Sequence, residues 1–297
     1  FNGPAMLDEL EFDLNYLEYM IWCADSPHFN TEWFYKHELY RYSKTRFPDL
    51  KVLLTGAGAD EFAGGYSRTY KDPARTWQGY LSTHVQRLWN QFSALQNGAP
   101  GVQGAESSVS QGRMAPVNYQ TAMTMNLSSL QIYNLQNEDR MSAAHGIEAR
   151  VPFLDHRLVE LLASVPLVYH EQLFWDKRIV REQLAGLLPS YPADFLKVPF
   201  VYVPGNKSVQ ALEAAVLRRT YHPFMEKYVR PGDPLLPRDR LEMLYRVATS
   251  GVDGARRAEL DLMRVMQKAI FMNNCVEGYE PPTIPVSSPL QEAGPPA

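Results

Sequence analysis

The stretch Lys51–Tyr66, KVLLTGAGADEFAGGY, constrains the fold more than any other part of the chain. Residues 52–55 are apolar or β-branched on both alternating faces, which is typical of a parallel strand buried between helices. The glycines that follow permit a tight turn and close backbone approach, and the acidic pair Asp60 and Glu61 indicates the first turn of a helix. Strand, glycine loop and helix in succession predict an α/β protein.

The glycine loop also predicts an anion site. A strand that ends this way directs several backbone N–H groups outward, and such a nest suits a phosphate or a carboxylate. Two carboxylates would repel a bare pyrophosphate, so we expect Mg²⁺ at Asp60, which favours a Mg²⁺-nucleotide over a dinucleotide. On the loop alone, a strand-to-helix turn with a capping aspartate is an equally good interpretation. The candidate ATP- and pyrophosphate-binding residues are Leu54, Thr55, Gly56, Gly58, Asp60 and Glu61.

Composition excludes some classes of protein. The chain has 297 residues with 29 basic and 33 acidic side chains, and a net charge of -4 argues against a nucleic-acid binder. No apolar run approaches the roughly 20 residues that a membrane helix needs. Cys23 and Cys275 belong to no metal-spaced cluster and are typical of core residues in a reducing compartment. We therefore expect a cytoplasmic protein without a nucleic-acid or membrane partner.

The rest of the chain has a helical pattern. After Tyr66 we expect helices only, so that the C-terminal half is helix-rich. Residues 97–112 are small, polar and glycine-rich and predict a mobile loop within one domain over residues 1–276. Residues 277–297 are proline-rich and predict a disordered tail. Helices are predicted at Asp8–Cys23, Thr31–Arg46, Tyr119–Gln136, His156–Ala163, Asp176–Leu187, Ser208–Thr220, Arg238–Thr249 and Ala255–Asn274.

A second informative stretch is EDRMSAAHGIEARVPFLDHRLVELL, residues 138–162. Pro152 prevents helix continuation, and Asp155 is placed to cap a helix that begins at His156. Glu148 and Arg150 alternate with apolar residues and so share one face. They form either a structural ion pair, the interpretation we favour, or part of the lining of the site.

These stretches resemble the asparagine synthetase family. TGAGADEFAGGY is similar to the second nucleotide loop of that family, S-G-E-G-A-D-E-x-F-G-G-Y, and the second stretch to D-R-M-S-M-A-H-S-L-E-V-R-V-P-F-L-D-H. A third, LPSYPADFLKVPF, is similar to L-P-x-x-x-x-x-R-x-K-x-x-F. That match places Lys197 on the catalytic lysine of the family and Phe195 on its arginine. The resemblance covers about residues 8–203.

The resemblance implies an adenine-nucleotide α-hydrolase-like parallel sheet flanked by helices. It implies ATP and Mg²⁺ as cofactors, small-molecule carboxylate and amine substrates, and an acyl-adenylate of aspartate that ammonia from glutamine attacks. In the family an N-terminal glutaminase domain and a first pyrophosphate loop, S-G-G-x-D-S, complete the enzyme. Neither is present in these 297 residues. We expect them in the same gene product or in a separate chain, and a homo-oligomer is compatible with the pattern.

One position departs from the family within the glycine loop. The family has a glutamate, associated with formation of the intermediate, where this chain has Ala57. Relatives that form β-lactams carry tyrosine there. Three alternatives follow: another group orients the nucleophile of an asparagine-forming ligase, the chain is a specialised amide or lactam synthetase, or it is an inactive partner protein.

Overall fold

The computed structural model describes residues 12–27, 31–67, 76–84, 88, 118–188, 190, 209–250 and 254–277. Within these ranges the strands are β1 Val52–Leu54 and β2 Glu148–Arg150, and residues 77–84 are helical. The other α-helices are α1 Leu14–Ala24, α2 Thr31–Arg46, α3 Ala59–Ala63, α4 Tyr119–Ser129, α5 Gln136–Ala143, α6 His156–Ser164, α7 His170–Phe174, α8 Arg178–Leu187, α9 Val209–Tyr228, α10 Arg238–Thr249 and α11 Ala255–Phe271.

The two strands form a small parallel sheet. The Glu148 N–H donates to the carbonyl of Lys51 at 2.7 Å, and the Thr55 N–H donates to the carbonyl of Arg150 at 2.8 Å. These slanted bonds are the parallel pattern, and the long connection between the strands, which contains helices α3, α4 and α5, is the crossover that parallel pairing requires. The α/β fold class is confirmed. The expectation of helices only after Tyr66 is wrong at β2, where the alternation of Glu148 and Arg150 with apolar residues is that of a short strand.

The chain divides into two compact units. The helical unit consists of residues 1–51, 137–148 and 199–297, and the loop unit consists of residues 52–136 and 149–198. Each unit is built from segments that are distant in sequence. The loop unit contains the glycine-rich stretch.

An aromatic core holds the loop unit together. Phe62 of α3 is 2% exposed and packs with Tyr119, Phe174 and other buried rings. The Tyr119 hydroxyl donates to the carbonyl of Glu61 at 2.7 Å, and the Asn126 amide donates to the same oxygen at 3.3 Å. A helix as short as α3 is unstable alone. Burial and these two hydrogen bonds therefore fix α3, and with it the end of the glycine loop.

The helical unit has an apolar core that includes the buried carboxylate of Glu18. Leu17, Met20 and Ile21 of α1 are fully buried. Glu18, on the same helix, is 3% exposed and accepts hydrogen bonds from the Lys227 ammonium at 2.8 and 2.9 Å and from the Tyr228 hydroxyl at 2.9 Å. A buried carboxylate is tolerated only with such partners. No helix in the described ranges is long and apolar enough to cross a membrane.

Six of the eight predicted helices have different bounds in the structure. Helix α1 begins at Leu14, with Asp13 as its cap, and ends at Ala24; α6 extends to Ser164; and α11 ends at Phe271 and continues as a π-helical turn, Met272–Glu277. The helix expected at Tyr119–Gln136 ends at Ser129 and continues as a π-helical turn, Leu130–Leu135. The helix expected at Ser208–Thr220 extends to Tyr228 despite Pro223, because burial of Tyr221 and Phe224 outweighs the hydrogen bond that proline cannot make. The helix expected from Asp176 begins at Arg178.

A pair of histidines is packed inside the helical unit. The rings of His37 and His145 lie 4.4 Å apart between centroids, and His37 Nδ1 lies 3.0 Å from Glu38 Oε1. Burial and the neighbouring His37 lower the pKa of His145 to about 4. Burial alone would raise the pKa of Glu38, but hydrogen bonds from His37, Arg41 and Tyr16 outweigh it and lower that pKa to about 2. The fold therefore requires a neutral His145 beside an ionised Glu38.

We expect the free energy of unfolding to fall between pH 6.5 and pH 4. The folded state keeps His145 neutral down to about pH 4, whereas the unfolded chain takes up that proton near its ordinary pKa of 6.5. The contribution of neutral His145 to the free energy of unfolding is therefore complete above pH 6.5 and is lost as the pH falls toward 4. We expect this loss to be about 2 kcal/mol, since the side chain is partly exposed. Urea unfolding of the wild type and His145→Gln across this range measures the effect.

The His145→Gln protein should lack this loss, whereas His156→Gln, at an exposed position on α6, should retain it. Parallel pH profiles for the wild type and His145→Gln would contradict the assignment. Below pH 4.5 the protonation of Glu38 adds a separate loss in both proteins.

Candidate functional site

The site begins where β1 ends. Leu54 is 67% exposed although it ends a strand, and Thr55 continues the ladder through its backbone. The Thr55 hydroxyl oxygen is buried and has no hydrogen-bond partner among the described residues. A buried hydroxyl without a partner is uncommon, and such a group is a natural contact for a bound ligand or a water.

The glycines of the loop serve different purposes. Gly58 has φ +94° and Gly64 has φ +80°, and a Cβ would collide with the side chain of Leu154 at the first and with the Phe174 carbonyl at the second. The fold itself therefore requires glycine at these two positions. Gly56 is exposed, lies outside the left-handed region and has no atom of the described residues within 4 Å of an added Cβ. The described part of the fold gives no reason for glycine at position 56.

The loop presents fewer backbone donors than its sequence indicated. The Ala59 N–H donates to the carbonyl of Gly56 at 3.2 Å and closes the turn, so this donor is already used. Ala57, at the departure from the family pattern, is half-buried within this turn. Helix α3 has five residues, and its dipole is correspondingly small. Attraction for an anion therefore comes from the loop amides and from side chains around the loop.

A lysine that sequence reasoning missed lies at this loop. The Lys177 ammonium donates to Asp60 Oδ1 at 2.7 Å, and the two side chains are only 21% and 22% exposed. A Cβ on Gly65 would collide with the Asp60 carboxylate, so glycine at this position leaves room for the carboxylate. We expected position 177 inside a helix, and a lysine in a helical pattern gives no signal of such a role.

Lys177 is held in an uncommon backbone conformation. Asp176 has φ 53° and ψ 36°, and Lys177 has φ 57° and ψ 34°, so two consecutive residues are left-handed. A left-handed residue costs roughly 1–2 kcal/mol unless it is glycine or, less often, asparagine or aspartate, so the cost falls mainly on Lys177. This turn is the physical reason that α8 begins at Arg178 rather than at Asp176.

The two acidic residues of the loop have different environments. Glu61 is 6% exposed and accepts a hydrogen bond from the Tyr66 hydroxyl at 2.6 Å, whereas the Asp60 carboxylate reaches the surface. Within the described ranges, no three His, Cys, Asp or Glu side chains are grouped to hold a metal. A single carboxylate suits Mg²⁺ when phosphate oxygens and water complete its shell. Asp60 fits that arrangement, and it does not form a metal site by itself.

The second predicted stretch lies on β2 and α6. Glu148 and Arg150 are both exposed on β2, on either side of the half-buried Ala149. The predicted cap is confirmed, because the Asp155 carboxylate accepts from the Arg157 N–H at 3.0 Å. The Arg157 guanidinium also donates to this carboxylate and holds the pKa of Asp155 well below its usual range.

Several sequence predictions fall outside the described residues. These are the catalytic lysine of the family pattern at Lys197, the mobile loop at 97–112 and the proline-rich tail after Glu277. The two cysteines are described, and both are free thiols. Burial raises the pKa of Cys23 to about 11 and also raises that of Cys275, so both resist ionisation.

A cleft of about 600 Å³ lies elsewhere in the loop unit. Trp77, Glu171, Trp175 and Arg178 are among its lining residues, and no residue of the glycine loop takes part. The cleft contains no residue that the sequence predicted for the site. The glycine loop with Asp60 and Lys177 is therefore the stronger candidate.

A parallel strand followed by a glycine loop and a short helix defines an α/β protein of the kind that binds anionic groups at the strand end. The chain belongs to the asparagine synthase family. The profile of that family, described as asparagine synthase, matches residues 10–271. No solved structure matches the chain significantly.

Curated relatives carry related names. Asparagine synthetase [glutamine-hydrolyzing] 2 of Bacillus subtilis is 32% identical over 227 residues, which are 73% of this chain and 30% of that protein. Putative asparagine synthetase [glutamine-hydrolyzing] 1 of Methanocaldococcus jannaschii is 24% identical over 61% of this chain and 25% of its own length. Asparagine synthetase domain-containing protein 1 of Homo sapiens is 31% identical over 43% of this chain and 13% of its own length. The chain thus spans about a third or less of these relatives.

We expect Gly64→Ala to destabilise the loop unit and Gly56→Ala to leave it unchanged. At Gly64 an alanine meets both the unfavourable backbone region and the Phe174 carbonyl, a cost of about 2–4 kcal/mol. At Gly56 the added methyl meets open space, so the change should stay within about 0.5 kcal/mol. Urea unfolding, monitored by tryptophan fluorescence, measures the free energy of unfolding of both variants. Equal effects at the two positions would contradict the assignment of separate purposes to these glycines.

Proposed function

We propose that this chain is part of an ATP-dependent amide-forming ligase. It activates a carboxylate, aspartate by similarity, as an acyl-adenylate, and ammonia released from glutamine attacks the activated carbon. Pyrophosphate leaves in the first step, when the acyl-adenylate forms, and AMP leaves in the second, when ammonia attacks. Family membership supports the ligase class. The observation that carries the proposal is Gly56: the described residues do not require glycine there, and the neighbouring Thr55 hydroxyl is buried without a hydrogen-bond partner among them.

The charges at the loop suit this chemistry. Attack of a carboxylate on the α-phosphorus increases the negative charge on the phosphate oxygens and on the departing pyrophosphate. Amides of the loop at residues 56–58 and the Thr55 hydroxyl would donate to these oxygens, and fixed donors of this kind stabilise a transition state. Asp60 and phosphate oxygens together would hold Mg²⁺, and the ion would neutralise part of the charge. Lys197 is proposed from its place in the family pattern as a further cation.

We propose that the rest of the ATP site lies in a segment that carries the first pyrophosphate loop. That segment, together with a glutaminase domain, belongs to the same gene product or to a separate chain. The sheet supports this, since β1 pairs only with β2 among the described residues and Leu54 at its end is largely exposed. An open strand edge is a template for a further strand. We propose the cytoplasm as the location, in a monomer or a homo-oligomer.

Ala57 supports a second candidate function. A methyl group neither accepts a proton nor orients an amine, so the glutamate role of the family is absent at this position. A specialised amide or lactam synthetase would use another amine and would keep the adenylation chemistry. An inactive partner protein would keep the fold alone.

ATP–pyrophosphate exchange tests the proposed function. The protein is assayed as the complete polypeptide or complex that supplies the first loop, with a panel of carboxylates that includes aspartate. The Gly56→Ala protein should lose about 10²-fold of the exchange rate, the scale of a displacement of about 1 Å of the reacting groups. Gly186→Ala, at another exposed glycine with open space, should keep the full rate. Absence of exchange with every carboxylate would favour the inactive partner.

We expect the wild-type enzyme to adenylate its carboxylate faster than it makes asparagine. Ala57→Glu should raise asparagine formation relative to exchange, because it restores a carboxylate at the position of the family glutamate. The same carboxylate repels nearby phosphates by about 1 kcal/mol at 4 Å in water and by more in a drier site. Exchange and amide yield are measured on the same samples, with Ala57→Gln as the uncharged control. Efficient asparagine formation by the wild type would show that another residue performs this task.

A further inference from the structure

The cleft of about 600 Å³ in the loop unit has charged walls that do not neutralise each other. Glu171 of α7 and Arg178 of α8 both line it. These two side chains form no ion pair with each other, and the Glu171 carboxylate has no hydrogen-bond or ion-pair partner among the described residues. The cleft therefore offers an anion and a cation to a ligand.

Arg178 is held in position and still has donors to spare. Its Nη1 donates to the carbonyl of Gln172, another lining residue, at 3.2 Å. Its Nε lies 3.8 Å from Glu182, whose side chain is 68% exposed, and an ion pair in water contributes little. A guanidinium carries five N–H groups in a fixed fork that matches a carboxylate. The fold thus orients Arg178 toward bidentate binding of a carboxylate.

Two indole rings form the apolar wall of the cleft. Trp77 belongs to the aromatic core of the loop unit and Trp175 packs against that core, with their ring centroids 6.4 Å apart at an angle of 63°. Trp77 is only 8% exposed, yet neither indole N–H has a hydrogen-bond partner in the described part of the chain. A buried indole N–H usually has one, so these donors are natural contacts for a ligand or a water.

The charges of the cleft disfavour ligands that carry a single charge. A phosphate or a nucleotide would be repelled by Glu171, and an organic cation would be repelled by Arg178. An uncharged apolar molecule would cover both charged groups without satisfying either. A molecule with one carboxylate and one ammonium group satisfies both. Its apolar part would cover the indole wall and Val168, which is 80% exposed.

We propose that this cleft binds a free α-amino acid with a large apolar side chain. The carboxylate of the ligand accepts from Arg178, its ammonium group donates to Glu171, and its side chain packs against Trp175 and Val168. The volume lies within the range of roughly 300–1,000 Å³ that is typical of small-molecule pockets. No residue of the glycine loop lines the cleft, so this site is separate from the proposed ATP site and does not depend on it.

Calorimetric titration of the complete polypeptide or complex with L-phenylalanine tests the proposal. We expect a dissociation constant of about 1 mM or below. L-Alanine should bind at least about tenfold more weakly, because it lacks the ring. N-acetylphenylalanine lacks the ammonium group and phenylalanine amide lacks the carboxylate, and each should bind at least about fivefold more weakly than phenylalanine. Equal binding of the four compounds, or no binding of phenylalanine, would overturn the proposal.

Two variants assign each charge of the ligand to its wall. Glu171→Gln should weaken phenylalanine binding at least about fivefold without weakening that of N-acetylphenylalanine, which lacks the partner of this carboxylate. Arg178→Met should weaken phenylalanine binding without weakening that of phenylalanine amide. Both positions are exposed, so both variants should fold. Glu160→Gln and Arg257→Met, at exposed positions of α6 and α11, are the matched controls and should bind phenylalanine as the wild type does. Unchanged phenylalanine affinity in both cleft variants would contradict the assignment.

ATP–pyrophosphate exchange separates this cleft from the ligase site. Glu171→Gln should keep the wild-type exchange rate, since Glu171 takes no part in the glycine loop. A parallel loss of exchange and of phenylalanine binding would place the amino acid in the ligase site and overturn the assignment of a separate site. Absence of exchange in the wild type, together with phenylalanine binding that depends on Glu171 and Arg178, would overturn the proposed function and support this cleft.

Discussion

The close approach of Gly64 to the carbonyl of Phe174 is the constraint on which the rest of the loop unit depends. It brings the end of the glycine stretch against the segment that leads into the left-handed turn. Ser67, three residues beyond Gly64, then reaches the backbone of Asp176. Because Phe174 is also part of the aromatic core, the same contact couples packing of the core to the position of the site. A side chain at position 64 would separate the two.

Much of this arrangement was predictable because the signals are local. An apolar run with no polar face predicts a strand, and β1 is one, but the expected burial of both faces is wrong, since Val52 and Leu53 are half-buried and Leu54 is largely exposed. A carboxylate at the start of a helix after proline predicts a cap, and Asp155 is one. Helices α2 and α10 have the predicted bounds. Helix α10 has a periodic apolar face between polar ends, whereas α2 has no such face and its bounds follow from the breaks at Pro27 and Pro48. The family pattern found the glycine loop through consecutive residues that need no knowledge of tertiary structure.

The remainder depends on contacts between residues that are far apart in sequence. The ion pair of Lys177 with Asp60 joins positions more than a hundred residues apart, and nothing near either residue indicates the other. The strand β2 exists because β1 offers it a partner. Gly56, Gly58 and Gly64 look equivalent in the sequence. The contacts that an added Cβ would make in the folded protein show which glycines the fold requires, at positions 58 and 64, and which one we attribute to a ligand, at position 56.

The division of the chain into units has a consequence for folding kinetics. The loop unit is assembled from two segments, and residues 137–148, which lie between them, belong to the helical unit. Neither unit is a contiguous stretch, so neither can complete its native contacts as an autonomous domain while the ribosome still holds the later segment. Closing such long loops carries an entropic cost before the contacts form, and topologies of this kind fold slowly. The aromatic core of the loop unit is incomplete until Phe174 has been synthesised. Shorter nascent chains leave Trp77, Tyr80 and Tyr119 without this partner, and transiently exposed apolar surface of this kind is prone to aggregate.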